Sequence, residues 1–204
     1  MADYKKPDHW QLKARKDGYP ARSVYKLQEM DEKFNLLNLR SGLPRVLDLG
    51  AAPGSWSLYV LRRKPGVLLV SADLCPLSRR YDNGLFDGEN CCFIQGDITD
   101  AAVSDSIVAH GPYNLIISDA APATTGNRFI DTARSLELAE AVAAYAERAL
   151  AGGGNLVIKV FQGGDVAELL KRLKMMFQTA KGYKPQACRS ESFETYYLGL
   201  SKKA

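Results

Sequence analysis

The feature that most restricts the fold is a pair of apolar runs that carry charge. Leu156-Val157-Ile158-Lys159-Val160-Phe161 reads as a strand buried on both faces, with a lysine inside it. Lysine is almost never fully buried unless it is paired. Tyr113-Asn114-Leu115-Ile116-Ile117-Ser118-Asp119 is a second run of the same kind, ending in an acid. Aligning Asn114 with Asn155 puts Asp119 opposite Val160, one residue from Lys159. Neighbouring strands of this type imply a parallel sheet, and open α/β sheets bind their ligands at the carboxyl edge, where this pair would sit. A structural ion pair is the plain alternative, and the rest of the chain weighs against it.

Short apolar runs at residues 46–49, 67–72, 92–95, 115–118 and 156–160 read as strands, and residues 56–63, 103–109 and 133–150 read as helices between them. A further helix begins at Asp165, with Val166, Leu169, Leu170 and Leu173 on one side and Lys171, Arg172 and Lys174 on the other. Ahead of the first strand, Val24, Leu27, Met30, Phe34 and Leu37 are spaced by three or four, which is one face of a helix over residues 21–37. Alternation of this kind predicts a mostly parallel sheet with right-handed crossovers and helices on both faces. Residues 182–188 and 196–200 look different. They predict an antiparallel hairpin at the end of the sheet.

The chain has 204 residues, 46% of them hydrophobic and 25% charged, which suits one well-cored domain. No apolar stretch approaches the roughly 18 residues that span a bilayer, and no signal core follows the first residues. A soluble cytoplasmic protein is expected. Cys75, Cys91, Cys92 and Cys188 lack C-x-x-C spacing, and buried free thiols are expected, with Cys91 and Cys92 on opposite faces of a strand. His9 and His110 are the only histidines. They leave little for a zinc site or a Ser/His/Asp triad, and no metal is expected.

Charge is concentrated at the start. Residues 1–26 hold seven basic residues, among them Lys5, Lys6, Lys13, Arg15, Lys16, Arg22 and Lys26, against Asp3, Asp8 and Asp17, while the rest of the chain is balanced. Tyr4, Trp10, Tyr19 and Tyr25 are interleaved with them. A basic, aromatic arm on a neutral body suits a phosphate backbone and stacked bases.

Arg45-Val46-Leu47-Asp48-Leu49-Gly50-Ala51-Ala52-Pro53-Gly54-Ser55-Trp56 is a strand, a small-residue turn and a helix start. Gly50 and Gly54 allow a tight turn close to a ligand. A dinucleotide fingerprint would need glycine at position 52, where Ala52 stands before Pro53, so pyrophosphate cradling and a nicotinamide oxidoreductase are disfavoured. Asp73 ends the next strand at the usual offset for holding ribose hydroxyls. Asp97 ends the third, placed to accept from an exocyclic amine. S-adenosylmethionine, a nucleoside without phosphates, fits this set.

Five segments in order give the chain a resemblance to a known family. They are Ala21-Arg22-Ser23-Val24-Tyr25-Lys26-Leu27, Asp48-Leu49-Gly50-Ala51-Ala52-Pro53-Gly54 with Trp56, Ser118-Asp119-Ala120-Ala121-Pro122, Ile158-Lys159-Val160-Phe161-Gln162-Gly163, and Arg189-x-x-Ser192-x-Glu194-x-Tyr196. Together they resemble the FtsJ/RrmJ family of RNA ribose 2′-O-methyltransferases, over about residues 13–200. The resemblance implies a single-domain Rossmann-like methyltransferase fold, with an arm and substrate-side helix over residues 1–40 and the methyltransferase domain over 41–204. It implies a catalytic tetrad of Lys26, Asp119, Lys159 and Glu194. It also carries over Gly54, Trp56, Asp73, Asp97 and Asp119 as S-adenosylmethionine-binding residues, beside Gly50 of the turn. Ser55 stands where the family usually has a second glycine, and Ala123 where it often has asparagine.

On this reading Lys159 orients and deprotonates a ribose hydroxyl, Asp119 orients Lys159, Lys26 contacts the substrate, and Glu194 holds the lysines. To take the proton, Lys159 must be neutral, which burial and a nearby cation favour and a tight Asp119 pair opposes. The compact length resembles bacterial members that methylate a uridine of 23S rRNA in the large ribosomal subunit, and a monomer is expected. Methylation of tRNA and a non-catalytic RNA-binding module are the alternatives.

Overall fold

A computed structural model of the chain describes residues 8–39, 42–163, 166–189 and 192–204. The basic residues Lys5 and Lys6, with Asp3 and Tyr4, and the proposed helix start at Asp165 lie outside the described residues. Seven strands form one sheet in the order β3-β2-β1-β4-β5-β7-β6. The first five are β1 (Arg45–Leu49), β2 (Leu68–Asp73), β3 (Cys91–Gln95), β4 (Tyr113–Ser118) and β5 (Leu150–Phe161), all parallel to one another. Last come β6 (Phe177–Tyr183) and β7 (Glu194–Lys202). The expected α/β class, parallel sheet and antiparallel final pair are present.

Strand pleat sorts the core into two halves, because successive side chains point to opposite faces. Val46, Leu115, Ile117, Val157, Tyr196 and Leu198 face α2 (Val24–Phe34) and α3 (Ser55–Arg63). Leu47, Leu49, Ile116, Leu156, Ile158 and Val160 face α4 (Ala101–Ala109), α5 (Arg128–Ala149) and α6 (Val166–Met176). Asp119 and Lys159 continue the first set by parity, so both point toward α2. Cys91 and Cys92 go to opposite faces, as their adjacency requires.

Several expectations are corrected. The β4–β5 register shifts between Tyr113 and Leu115, so Leu115 pairs with Asn155 and Ser118 with Ile158. Asp119 therefore comes level with Lys159, not with Val160. Asn114 is no register marker, since its side chain accepts the Arg45 N–H at 2.9 Å. The sixth strand is residues 177–183 and not 182–188, and β7, not β6, docks on β5. The last strand is thus inserted between β5 and β6. The thiols are free, but Cys75 is exposed and only Cys188 is buried.

The arm is also more ordered than its charge suggested. Residues His9–Lys16 form α1, where Asp8 caps the start by accepting the Gln11 N–H at 2.9 Å and Lys13, Arg15 and Lys16 fill the last turn. Ala14 is 1% exposed, and Trp10 stacks on Tyr25 with ring centroids 5.1 Å apart. Asp8 also pairs with Arg22 at the entrance to α2. Among the described residues, no helix is long and apolar enough to cross a membrane.

Replacing Asp8 with alanine should cost about 1 kcal/mol, read as a lower urea midpoint, with faster amide exchange over residues 9–16. An unchanged midpoint and exchange pattern would show that this cap does not hold α1 in place.

Candidate active site

The four tetrad positions come together on one face of the sheet. Lys159 on β5 lies opposite Tyr196 on β7, and Phe161 opposite Glu194. Lys159 Nζ is 3.0 Å from Asp119 Oδ1 and also donates to the Asp119 backbone carbonyl. On α2, Lys26 Nζ is 2.6 Å from Glu194 Oε1 and 5.8 Å from the Tyr196 ring centroid. Both lysines are 8% exposed. Lysines so buried need paired charge, and each has a carboxylate.

Tyr196 ties the two pairs together, a role that sequence reasoning did not give it. Its hydroxyl donates to Asp119 Oδ1 at 2.6 Å, the same oxygen that meets Lys159. Burial and the Asp119 carboxylate raise the phenol well above its ordinary value, so it stays a donor. Burial pushes the Asp119 carboxyl up, but the Lys159 and Lys26 charges and the Tyr196 bond outweigh it and hold the group below the usual carboxylate range. For Lys26, burial is likewise outweighed by Asp119 and Glu194, and its pKa rises. Cys188, expected as a buried free thiol, is buried beside this cluster. Burial and the adjacent Glu194 carboxylate push its thiol up to about 12.

The glycine turn after β1 builds a second part of the site. Gly50 has φ +73°, and a Cβ there would come within 2.5 Å of Ala120 Cβ, so only glycine lets β1 and the β4 end approach this closely. The neighbouring cavity, about 310 Å³, is lined by Gly50, Asp73, Asp97, Asp119 and Ala120 among others. Asp73 accepts the Ala52 N–H at 2.9 Å and the Cys75 N–H at 2.8 Å. Asp97 is exposed and braced by Thr99, which holds its carboxyl below the usual range.

Gly54 and Trp56 are not among the residues lining that cavity. Gly54 starts α3 at φ +101° and faces Phe86 and Leu77. Trp56 is 2% exposed, donates its indole N–H to the Ser23 carbonyl at 2.9 Å, and stacks toward Tyr196 at 5.9 Å. The structure thus gives Trp56 a position behind the tetrad, steering the start of α2.

A second cavity, about 510 Å³, lies on the other side of the cluster and is lined by Lys26, Glu194, Arg22, Thr124, Phe161 and Phe193 among others. Among the described residues, no group of three or more histidine, cysteine or acidic side chains is arranged to hold a metal ion.

Residues 19–202 match the FtsJ-like methyltransferase family. The chain belongs to that family. It is 50% identical over 202 residues to the ribosomal RNA large subunit methyltransferase E of Treponema denticola, covering 98% of this chain and 97% of that protein. It is 45% identical over 196 residues to the enzyme of the same name from Nitratidesulfovibrio vulgaris, covering 95% and 93%. Among solved structures, a Plasmodium falciparum protein assigned as a ribosomal RNA methyltransferase superposes with TM-score 0.74 at 27% identity, over 90% of this chain and 98% of that one. Human methyltransferase-like protein 13, solved with S-adenosylhomocysteine, shares the fold at TM-score 0.58 and 14% identity, over 87% and 79%.

Beneath the family's glycine turn lies a buried acid outside the tetrad. Asp48 on β1 is 1% exposed, and Ser57 donates to its Oδ2 at 2.7 Å while contacting Ser71 at 2.8 Å. Its Oδ1 has no hydrogen-bond partner among the described residues. Burial is the main cause that pushes the carboxyl up to about 7, with Asp119 and Asp73 adding to it. Because the folded value lies above the unfolded one, the folded state holds the proton more tightly, and this contribution to stability is lost as pH rises from about 4 to 7. Asp48→Asn removes that loss. The variant should gain on wild type by up to about 1.4 kcal/mol per pH unit in that window, then level off. Parallel urea titrations at pH 4.5, 5.5 and 6.5 check this, and a pH-independent difference would overturn it.

Proposed function

We propose that this protein transfers a methyl group from S-adenosylmethionine to the 2′-hydroxyl of a ribose in RNA, a uridine of 23S rRNA in the large ribosomal subunit. The observation that carries the reading is that the cluster of Asp119, Lys159, Tyr196, Lys26 and Glu194 borders two cavities. Asp119 lines the smaller, acid-lined one, and Lys26 and Glu194, joined to Asp119 through Tyr196, line the larger. A two-substrate transfer needs both sites to meet at one cluster. The names of the relatives point to the same substrate class.

The smaller cavity fits the cofactor. It offers backbone and carboxylate acceptors, a close glycine turn and no basic side chain among its lining residues. Gly50, Asp73, Asp97 and Asp119 would hold S-adenosylmethionine there, which when bound supplies a methyl group on a positively charged sulfur. Gly54 and Trp56 would act by shaping the turn and α2.

The rest follows from the chain's own groups. A ribose hydroxyl is a weak nucleophile whose proton must leave during transfer, and fixing it in place supplies much of the rate, since effective molarities reach about 10⁵ to 10⁸ M. Asp119 is held ionised and is a weak base, and Lys26 is held charged by two carboxylates. His9 and His110 belong to other parts of the fold. Lys159 is left to take the proton, which it does as the neutral amine, oriented by its contacts with Asp119. Lys26, anchored by Glu194, presents positive charge to the ribose or phosphate in the larger cavity. The cluster is complete within one chain, which supports action as a monomer in the cytoplasm, where its ribosomal substrate is found.

The deciding experiment follows tritiated methyl groups into isolated large subunits, free rRNA and tRNA in parallel, and then maps the modified position. Label in a ribose of 23S rRNA supports the reading, label in tRNA moves the substrate, and no label in any RNA sinks it. Lys159→Ala should abolish transfer while leaving S-adenosylmethionine affinity within about several-fold. Lys159→Arg should fail as well, because guanidinium does not deprotonate in proteins. Wild-type turnover in either variant would refute the role given to this residue.

A further inference from the structure

The larger cavity has an aromatic wall that the transfer chemistry leaves unused. Phe161 lies two residues beyond Lys159 on β5, so the pleat puts both on the same face. Phe193 immediately precedes β7, and its carbonyl accepts the Gln162 N–H at 2.7 Å, fixing it beside the end of β5. The two rings meet edge to face, with centroids 4.6 Å apart and planes at 65°. Phe161 is 8% exposed, whereas Phe193 is half-buried, so one ring supports and the other presents surface. Arg128, exposed in the first turn of α5, holds its guanidinium carbon 5.4 Å from the Phe193 centroid. Both rings line the cavity that Lys26 and Glu194 share.

We infer that Phe193, backed by Phe161 and flanked by Arg128, is the stacking platform for the base of the nucleotide whose ribose is methylated. The inference rests on the RNA reading above and adds which residues hold the acceptor. A ribose can reach a lysine this buried only if its nucleotide leaves the surrounding stack, and unstacked bases are held on aromatic rings and arginine planes. Such a platform tolerates any base, because each has a π-face. Recognition of the particular nucleotide then falls to the fold of the RNA around it. If Phe193 only closed the apolar end of β5, leucine would serve as well.

That contrast sets the test. Wild type, Phe193→Leu, Phe193→Trp and Arg128→Ala are assayed for methyl transfer to large subunits lacking the modification, with S-adenosylmethionine affinity measured by calorimetry and folding by urea midpoint. Phe193→Leu should lose about tenfold to a hundredfold in kcat/KM for the RNA, with cofactor affinity unchanged. Phe193→Trp should restore most of it. Arg128→Ala, at an exposed position away from the core, should raise the KM for RNA by about threefold to tenfold. Full activity in Phe193→Leu, or equal losses in the leucine and tryptophan variants, overturns the platform. A wild-type protein that methylates none of the RNAs instead removes the reading beneath it, so the two failures are separable.

Discussion

The site depends on one contact between adjacent strand ends, Lys159 Nζ against Asp119 Oδ1 and the Asp119 carbonyl. A lysine on a strand face that is otherwise Val157 and Phe161 would be costly if unpaired, because its charge would be desolvated without compensation. The pairing is possible because the β4–β5 register brings Asp119 level with it, and that register depends on the irregularity between Tyr113 and Leu115. One residue of slip would carry the carboxylate to the opposite face, since the side-chain period is two. The geometry of the candidate site is therefore a consequence of sheet register, set near the start of β4 rather than at its end.

Around this contact the chain builds two different environments from neighbouring elements. Strand ends β1, β2 and β3 and the start of the β4–α5 loop supply small residues and carboxylates. Helix α2 and the start of β7 supply Lys26 and Glu194 on the other side. Tyr196 and Trp56 join them, the first by its bond to Asp119 and the second by fixing the Ser23 carbonyl at the start of α2. The β4–α5 loop serves both sides, since Ala120 and Ala121 line one cavity and Thr124 the other. Asp131 braces it by accepting from the Thr125 N–H at 2.7 Å and its hydroxyl at 2.8 Å.

Much of this was legible because doubly buried strands are apolar throughout and helices keep a 3.6 period, so type and order of the elements follow from pattern alone. The tetrad was legible through its motifs, which place Lys159 and Asp119 at neighbouring strand ends and Lys26 and Glu194 on flanking elements. What escaped depends on tertiary pairing. Asn114 and Asn155 looked like matching strand starts, yet Asn114 is used to bind the Arg45 backbone. The insertion of β7 beside β5 is written in no local periodicity. Helix α1 buries only Ala14, with Trp10 partly buried against the core, too little for a periodic signal in eight residues. Trp56 sits in the motif that turns about the acid-lined cavity, but helical geometry points it toward Ser23 and Tyr196. The Tyr196 bond joins residues 77 positions apart, and no spacing rule reveals it.

Charge separates the two cavities as clearly as shape does. Asp73, Asp97 and Asp119 line the smaller one without a basic side chain among the lining residues, and buried Asp48 adds another carboxyl beneath it. Such a lining repels phosphate and suits a ligand that carries positive charge, which is a second ground, beside Ala52 and Pro53, for excluding a dinucleotide. The larger cavity is lined by Arg22, Lys26 and Arg189 against Glu194 and carries the exposed edge of an aromatic pair, which suits a polyanion with bases. On the proposed reading a cationic donor and an anionic acceptor would meet fields of opposite sign, each disfavoured in the other's place. The Lys159–Asp119 pair that the sheet register brings together stands where these two environments meet.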